Sequence, residues 1–239
     1  MKYIYGPVNS RRLGLSLGVN LTPYKICSFN CIYCQLGRTI GRTIGRKEYF
    51  NTQDILEELR SWIQNNPEEA AKINYITFSG SGEPTLNSNI GYLISQIKNL
   101  TNIKTAVITN ASLLSSSLVR QELMSADLVI PSLDAISEEI FIKIDRPEEG
   151  IKIDGIIEGL VNLSKEFQGK IWLEIMLIKG INDSPGYIAR FKEVIDRIKP
   201  DKIHLNSPVR STAEPNVLAS SAKKLKEIKE ALGDKCEIA

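Results

Sequence analysis

Short apolar runs alternate with longer helical stripes six times along the chain, and that rhythm leaves few folds open. The runs lie at residues 15–21, 73–79, 104–109, 127–132, 171–178 and 202–206. Each is rich in Ile, Val and Leu and short for a helix. Between them apolar residues return at three- and four-residue spacing, as in Ile55, Leu56, Leu59, Trp62 and Ile63, or Ile90, Leu93, Ile94 and Ile97. Helices are expected at 51–63, 87–100, in a Ser- and Leu-rich stretch reaching Ala126, at 137–167 with a break at 146–150, up to Ile198, and at 215–232. Strands that alternate with helices make an α/β fold with a parallel sheet. Pro131 cannot donate a ladder bond, so it belongs at the end of the fourth strand. Residues 1–14 read as a turn-rich lead-in and 215–239 as a C-terminal helix and tail. With no linker or composition break, 1–239 reads as one domain.

A length of 239 residues with 42% hydrophobic and 24% charged side chains suits one substantial core. The formal charge of +2 leaves nucleic-acid binding to a local patch. No apolar run is long enough for a membrane span, and the turn at Gly6-Pro7 argues against a signal peptide. Four cysteines without pairing partners suggest a reducing, cytoplasmic setting.

Three of those cysteines fall within eight residues, Cys27-Ser28-Phe29-Asn30-Cys31-Ile32-Tyr33-Cys34, spaced C-x3-C-x2-C. Three thiolates on one loop suit a cluster that takes soft sulfur ligands and leaves one corner free. The alternatives are a zinc knuckle or a grouping of buried thiols. A closed zinc site wants four protein ligands. The remaining candidates, Cys236 and His204, carry no paired spacing. After the second strand comes Gly80-Ser81-Gly82-Glu83-Pro84-Thr85, which by itself reads as a Gly/Pro turn. Residues 37–44 repeat Gly-Arg-Thr-Ile, and the stretch 38–47 places Arg38 and Arg42 among four cations without an acid. This stretch is either a solvated turn or a basic lip that attracts anions.

The C-x3-C-x-aromatic-C loop, with Tyr33 before its last cysteine, resembles the signature of the radical S-adenosylmethionine (radical SAM) superfamily. The resemblance implies a partial (β/α)6 TIM-like barrel, with the cofactor loop at the C-terminal ends of its strands. It also implies a [4Fe–4S] cluster held by Cys27, Cys31 and Cys34, whose open iron binds S-adenosylmethionine. Reductive cleavage would then give methionine and a 5′-deoxyadenosyl radical that abstracts hydrogen from a substrate. An electron donor such as flavodoxin or ferredoxin is implied as partner. Residues 80–85 resemble the family's Gly-x-Glu-Pro-Thr motif. There the backbone of Gly80, Ser81 and Gly82 would meet the cofactor's amino group, with Glu83 shaping the loop. Tyr33, Asn110, Ser132, Asp134, Glu174 and Met176 complete the expected cofactor set.

Strand parity puts Trp172, Glu174, Met176 and Ile178 on one face, Ser132 and Asp134 on another, and His204 with Asn206 on a third. His204 is open between a core residue and a catalyst, and Asn110 between a ribose contact and an Asx turn. The pattern around residues 6–18 and 78–86 resembles wyosine-type tRNA-modifying members, without their second cysteine set. Other readings are a glycyl-radical-enzyme activase, a radical methyltransferase, or a non-enzymatic iron–sulfur electron-transfer or sensor protein. The Gly-Glu-Pro-Thr motif argues against the last. Substrate contacts are expected from Arg11, Arg12, Arg38, Arg42, Asn206 and Arg210, which favour RNA or another anion over a neutral peptide, although a protein substrate stays open.

Overall fold

The computed structural model describes residues 1–239. In chain order the elements are β1 (Ile4–Ser10), β2 (Gly14–Val19), β3 (Ile26–Cys27), β4 (Gly41–Arg42), α1 (Thr52–Asn65), α2 (Pro67–Ala70), β5 (Tyr75–Phe78) and a 3-10 turn (Pro84–Leu86). There follow α3 (Ile90–Leu100), β6 (Lys104–Thr109), α4 (Ser117–Leu123), β7 (Leu128–Pro131), α5 (Glu138–Ile144) and α6 (Ile153–Glu166). The chain ends with β8 (Lys170–Met176), α7 (Pro185–Ile198), β9 (Lys202–Asn206), α8 (Ala222–Leu232) and β10 (Cys236–Ile238). The main sheet runs β1-β2-β5-β6-β7-β8-β9-β10. Every neighbouring pair from β2 to β10 is parallel, while β1 joins β2 as an antiparallel edge. The six expected strands are all present and lie side by side in sequence order, a partial TIM-like barrel. No helix is long and apolar enough to cross a membrane.

Alternation along each strand divides the interior in two. One parity (Leu17, Ile76, Phe78, Val107, Val129, Leu173, Ile175, Ile203 and Leu205) packs outward in the main core with Ile55, Leu59, Leu93, Ile97, Leu160, Phe191 and Ile195 of the helices. The other parity fills the barrel. At its bottom Leu13, Ala106, Leu128 and Ile130 form an apolar plug with Tyr75, Ile108 and Trp172 packed against it. Above the plug the same parity turns polar, with Ser16, Thr77, Glu174 and Asn206. Removing a carboxylate from water is costly, so this change marks where the interior opens.

Three expectations need correction. Residues 4–10 are a strand, not a turn-rich lead-in. The Gly6-Pro7 pair makes a register shift between Tyr5 and Val8, with Gly6 at φ 101°. An edge strand tolerates a proline at such an irregularity. The last helix begins at Ala222, where Ser221 Oγ accepts from Lys224 N (3.2 Å). The preceding segment is irregular, with a turn at 215–216, and is held by Lys179 N to Leu218 O (3.0 Å) and Ser220 Oγ to Asp183 Oδ2 (2.8 Å). Consequently Ile178 leaves β8 and bridges Ala219. Finally, β10 adds a seventh parallel strand at Cys236, and three residues are too few for periodicity to reveal. Pro131 ends β7 opposite Thr109, as its missing N–H requires.

Candidate active site

The cysteine loop leaves the C-terminal end of β2 and is clamped at three places. Its first residues pair with β4 (Ile26 with Gly41, Cys27 with Arg42). Its middle is held by Asn30 N to Asp145 O (2.9 Å) and Ile32 N to Ile144 O (2.9 Å), at the end of α5. The third clamp is the 80–85 loop, through Lys25 N to Ser81 O (2.8 Å) and Glu83 N to Ile26 O (3.2 Å). A Cβ on Gly82 would lie 1.8 Å from Ile26 O. A glycine at this position permits close approach to the cysteine loop. Gly80 adopts φ 128° and sits against Asn20, whose Oδ1 accepts from Ser81 N (3.1 Å).

Glu83 shapes this loop, as its sequence context implied. It is 2% exposed. Its Oε1 accepts from Thr85 N (3.0 Å), Thr85 Oγ1 (2.6 Å) and Thr109 Oγ1 (2.6 Å), and its Oε2 from Asn110 N (2.8 Å). One carboxylate thus ties the β5 loop to the end of β6. Asn110 makes the expected local turn and also reaches the cysteine loop. Its Oδ1 accepts from Ser112 N (3.0 Å) in a local turn, and its Nδ2 donates to Ser28 Oγ (2.9 Å) and reaches Cys27 Sγ at 3.5 Å.

The three cysteines of the loop are half-buried residues free of disulfides. Cys27 lies against Asn110, Cys31 Sγ is 3.4 Å from Asp145 Oδ1, and Cys34 Sγ is 3.1 Å from Lys25 Nζ. Burial, with Glu83 adding to it, pushes the Cys27 thiol up to about 12. Burial and the neighbouring Asp145 push Cys31 well above the usual thiol range. Such thiols give up their protons only to a cation that replaces the lost hydration. No three His, Cys, Asp or Glu side chains converge on a single ion position. Three soft thiolates on one loop suit a cluster, which gives each thiolate its own iron, while a closed zinc site wants a fourth protein ligand. Cys236 stands apart, buried in β10 within the main core.

A cavity of about 850 Å³ opens beside Cys34 and Tyr33. Gly80 and Ser81 form part of its wall, together with Glu174, Met176, Asn206, Arg11, Arg12 and Arg210. Arg12 and Asn206 both bond the Glu174 carboxylate, which accounts for a charge inside the barrel. Arg11 Nη1 donates to Ala239 O (2.8 Å) and so links the two edges of the open sheet. Arg210 Nη1 donates to Gln35 Oε1 (3.0 Å). The Asp134 carboxylate bonds the Tyr33 hydroxyl with one oxygen and Met176 N (2.7 Å) with the other. It is therefore engaged within the protein, and Asp134 and Ser132 line a small crevice behind Tyr33 instead of the large cavity.

Arg38 and Arg42 do not line the cavity. Arg38 pairs with Glu214 (3.2 Å) and Arg42 with Glu148 (2.9 Å), acids brought in from far along the chain. His204 is buried under the cavity, edge-on to Trp172 at 5.4 Å, and its Nδ1 has no partner. Burial, assisted by Arg12, lowers its pKa below the usual histidine value and favours the neutral ring. Sequence reasoning missed Lys25 and Asn182. Asn182 Nδ2 donates to Asp134 O and Met176 O (both 2.8 Å) and its Oδ1 accepts from Ile178 N (2.7 Å), pinning the ends of β7 and β8. Its Gly180-Ile181-Asn182-Asp183 context reads only as a turn.

Comparison with known proteins places these features in a family. The family model described as the radical SAM superfamily matches residues 21–191. The chain is 40% identical over 99% of its length to a Brachyspira hyodysenteriae protein named GTPase Obg, of which it spans 34%. It is 37% identical over 90% of its length to a UPF0026 protein of Methanocaldococcus jannaschii, spanning 66% of that relative. Among solved structures, a radical SAM methyltransferase from Sphaerobacter thermophilus matches with a TM-score of 0.72 at 16% identity, over 94% of this chain and 65% of that one. This last likeness concerns the fold alone.

Proposed function

Because the chain belongs to the radical SAM superfamily, whose enzymes use a [4Fe–4S] cluster and S-adenosylmethionine, we propose that Cys27, Cys31 and Cys34 hold the cluster. The cavity beside Cys34 then takes S-adenosylmethionine together with an anionic substrate. The single observation behind the substrate class is the charge of the cavity wall: Lys2, Arg11, Arg12 and Arg210 against the lone carboxylate of Glu174. When bound, the cofactors supply reductive cleavage of S-adenosylmethionine to methionine and a 5′-deoxyadenosyl radical, with the electron drawn from a flavodoxin or ferredoxin.

The chain's own residues position and shield. The 80–85 loop fixes the backbone that leads into Cys27, and Asn110 holds the Ser28 and Cys27 side chains. The Tyr33–Asp134–Met176 contacts hold the aromatic ring beside Cys34 at the strand ends. Glu174 is already neutralised by Arg12, which leaves Arg11 and Arg210 at the wall for an incoming phosphate or carboxylate. A cavity of this size falls within the range of ligand sites, roughly 300–1,000 Å³. An RNA end or a phosphorylated metabolite fits this charge better than a neutral peptide.

The test is turnover by the reduced, cluster-loaded enzyme on fractionated extract from cells grown in deuterated medium, following deuterium into 5′-deoxyadenosine. The donor fraction is expected to be retained by an anion exchanger. Arg210→Ala should raise the concentration of that fraction needed for half-maximal transfer by about 10- to 100-fold, the loss of one charge-assisted hydrogen bond of roughly 1.5–3 kcal/mol. A deuterium donor that passes through the exchanger unretained would contradict the anionic substrate.

A further inference from the structure

Lys25 stands where an ordinary lysine would not. It is 3% exposed, and buried lysines are rare unless an acid pairs with them. No carboxylate lies within ion-pair distance of its ammonium. The one hydrogen bond its side chain makes is the 3.1 Å contact from Nζ to Cys34 Sγ. The backbone is bent to deliver it there. Lys25 has φ 59°, a left-handed conformation that costs a non-glycine residue about 1–2 kcal/mol. Three backbone bonds hold that bend: Lys25 N to Ser81 O (2.8 Å), and Ile40 N and Gly41 N to Lys25 O (both 3.1 Å). Glycine would adopt this conformation without strain, so the side chain must be wanted for itself.

We propose that Lys25 is a positioning residue that sets the reduction potential of the cluster through Cys34. The inference rests on the reading that Cys34 is a cluster ligand. Reduction adds one electron from a low-potential external donor, such as a reduced flavodoxin or ferredoxin, and no bond is made or broken in that step. Each added electron raises the negative charge shared by iron and sulfur. A cation and an N–H···S bond at one thiolate therefore stabilise the reduced form more than the oxidised form. Hydrogen bonds to the sulfurs and net charge are the levers by which a protein tunes such a cluster. Burial strengthens this effect, because little water screens the ammonium from the sulfur. The same charge acts on the neighbouring Cys27 thiol, where it opposes the rise caused by burial.

The test is an anaerobic redox titration, read by electron paramagnetic resonance, of the reconstituted wild type and of Lys25→Met, Lys25→Gln and Lys25→Arg, with iron and sulfide measured on each. Lys25→Met should hold the cluster at a more negative potential. At a fixed applied potential its ratio of reduced to oxidised cluster should fall about tenfold, which is about 59 mV for a one-electron couple. Lys25→Gln keeps a hydrogen-bond donor without the charge and should fall between, and Lys25→Arg should stay near the wild type. A fully loaded Lys25→Met at the wild-type potential overturns the proposal. If Lys25→Met holds no cluster, Lys25→Gln decides by the same criterion. Cys34→Ala separates this inference from the reading beneath it: retention of four irons and an unchanged spectrum in that variant would sink the ligand assignment itself.

Discussion

Cys31→Ala is expected to abolish the visible absorbance of the reconstituted cluster and to bring its iron and sulfide content close to zero. Cys31 sits midway in the loop, between backbone bonds from Asn30 and Ile32 to the end of α5. The main chain there is fixed, so no neighbouring residue can shift to replace the missing sulfur. Cys236 is the sole spare thiol, and it is buried in the core at the far edge of the sheet. The fold should survive the change. The lost partner of Cys31 is Asp145, whose carboxyl is held well above the usual range by burial and by nearby Asp134. A Cys31→Ala protein that keeps full iron and sulfide would refute the ligand assignment.

Glu83→Ala carries the largest expected effect on stability. The carboxylate accepts four hydrogen bonds from three residues on two loops, and the residue is almost fully buried. Burial raises its pKa, and those four donors work against the rise. Removal leaves two backbone N–H groups and two hydroxyls without an acceptor. Each unsatisfied buried group costs about 1–3 kcal/mol, so a loss on the order of 3–5 kcal/mol is expected after local relaxation. Urea unfolding of the cluster-free chain gives the measurement. A loss below about 1 kcal/mol would mean that the loop is held by something other than Glu83. The same variant should also hold the cluster less firmly, because the side-chain bonds it removes brace the loop whose backbone N at residue 83 bonds Ile26 O beside Cys27.

What the sequence made legible follows the range of the forces involved. Alternation and helical spacing are local, and they located all six inner strands together with the face that carries Glu174, Met176 and Asn206. The spacing of Cys27, Cys31 and Cys34 is equally local. Pairing across long separations left no such trace. Arg38 and Arg42 read as a free basic stretch because Glu214 and Glu148 lie more than a hundred residues away along the chain. Asp134 read as a cofactor contact at a strand end, and its carboxylate is bonded by Tyr33 and a backbone N–H of β8. At Gly82 the glycine was legible but its neighbour was not: it accommodates Ile26 O. Lys25 was overlooked for a related reason. A lysine before a cysteine motif carries no signal of burial, and its left-handed backbone is set by partners on the 80–85 loop and at residues 40–41. The strand at residues 4–10 was hidden by its own Gly6-Pro7 irregularity, which in a sequence is indistinguishable from a turn.

The most direct measurement of the central claim needs no substrate. The chain is reconstituted anaerobically with iron and sulfide, reduced, and incubated with S-adenosylmethionine, and the products are separated by chromatography. The expected result is 5′-deoxyadenosine and methionine in equal amounts, formed by the wild type and absent from Cys27→Ala, Cys31→Ala and Cys34→Ala. A reduced wild-type protein with an intact four-iron cluster that releases neither product would contradict it.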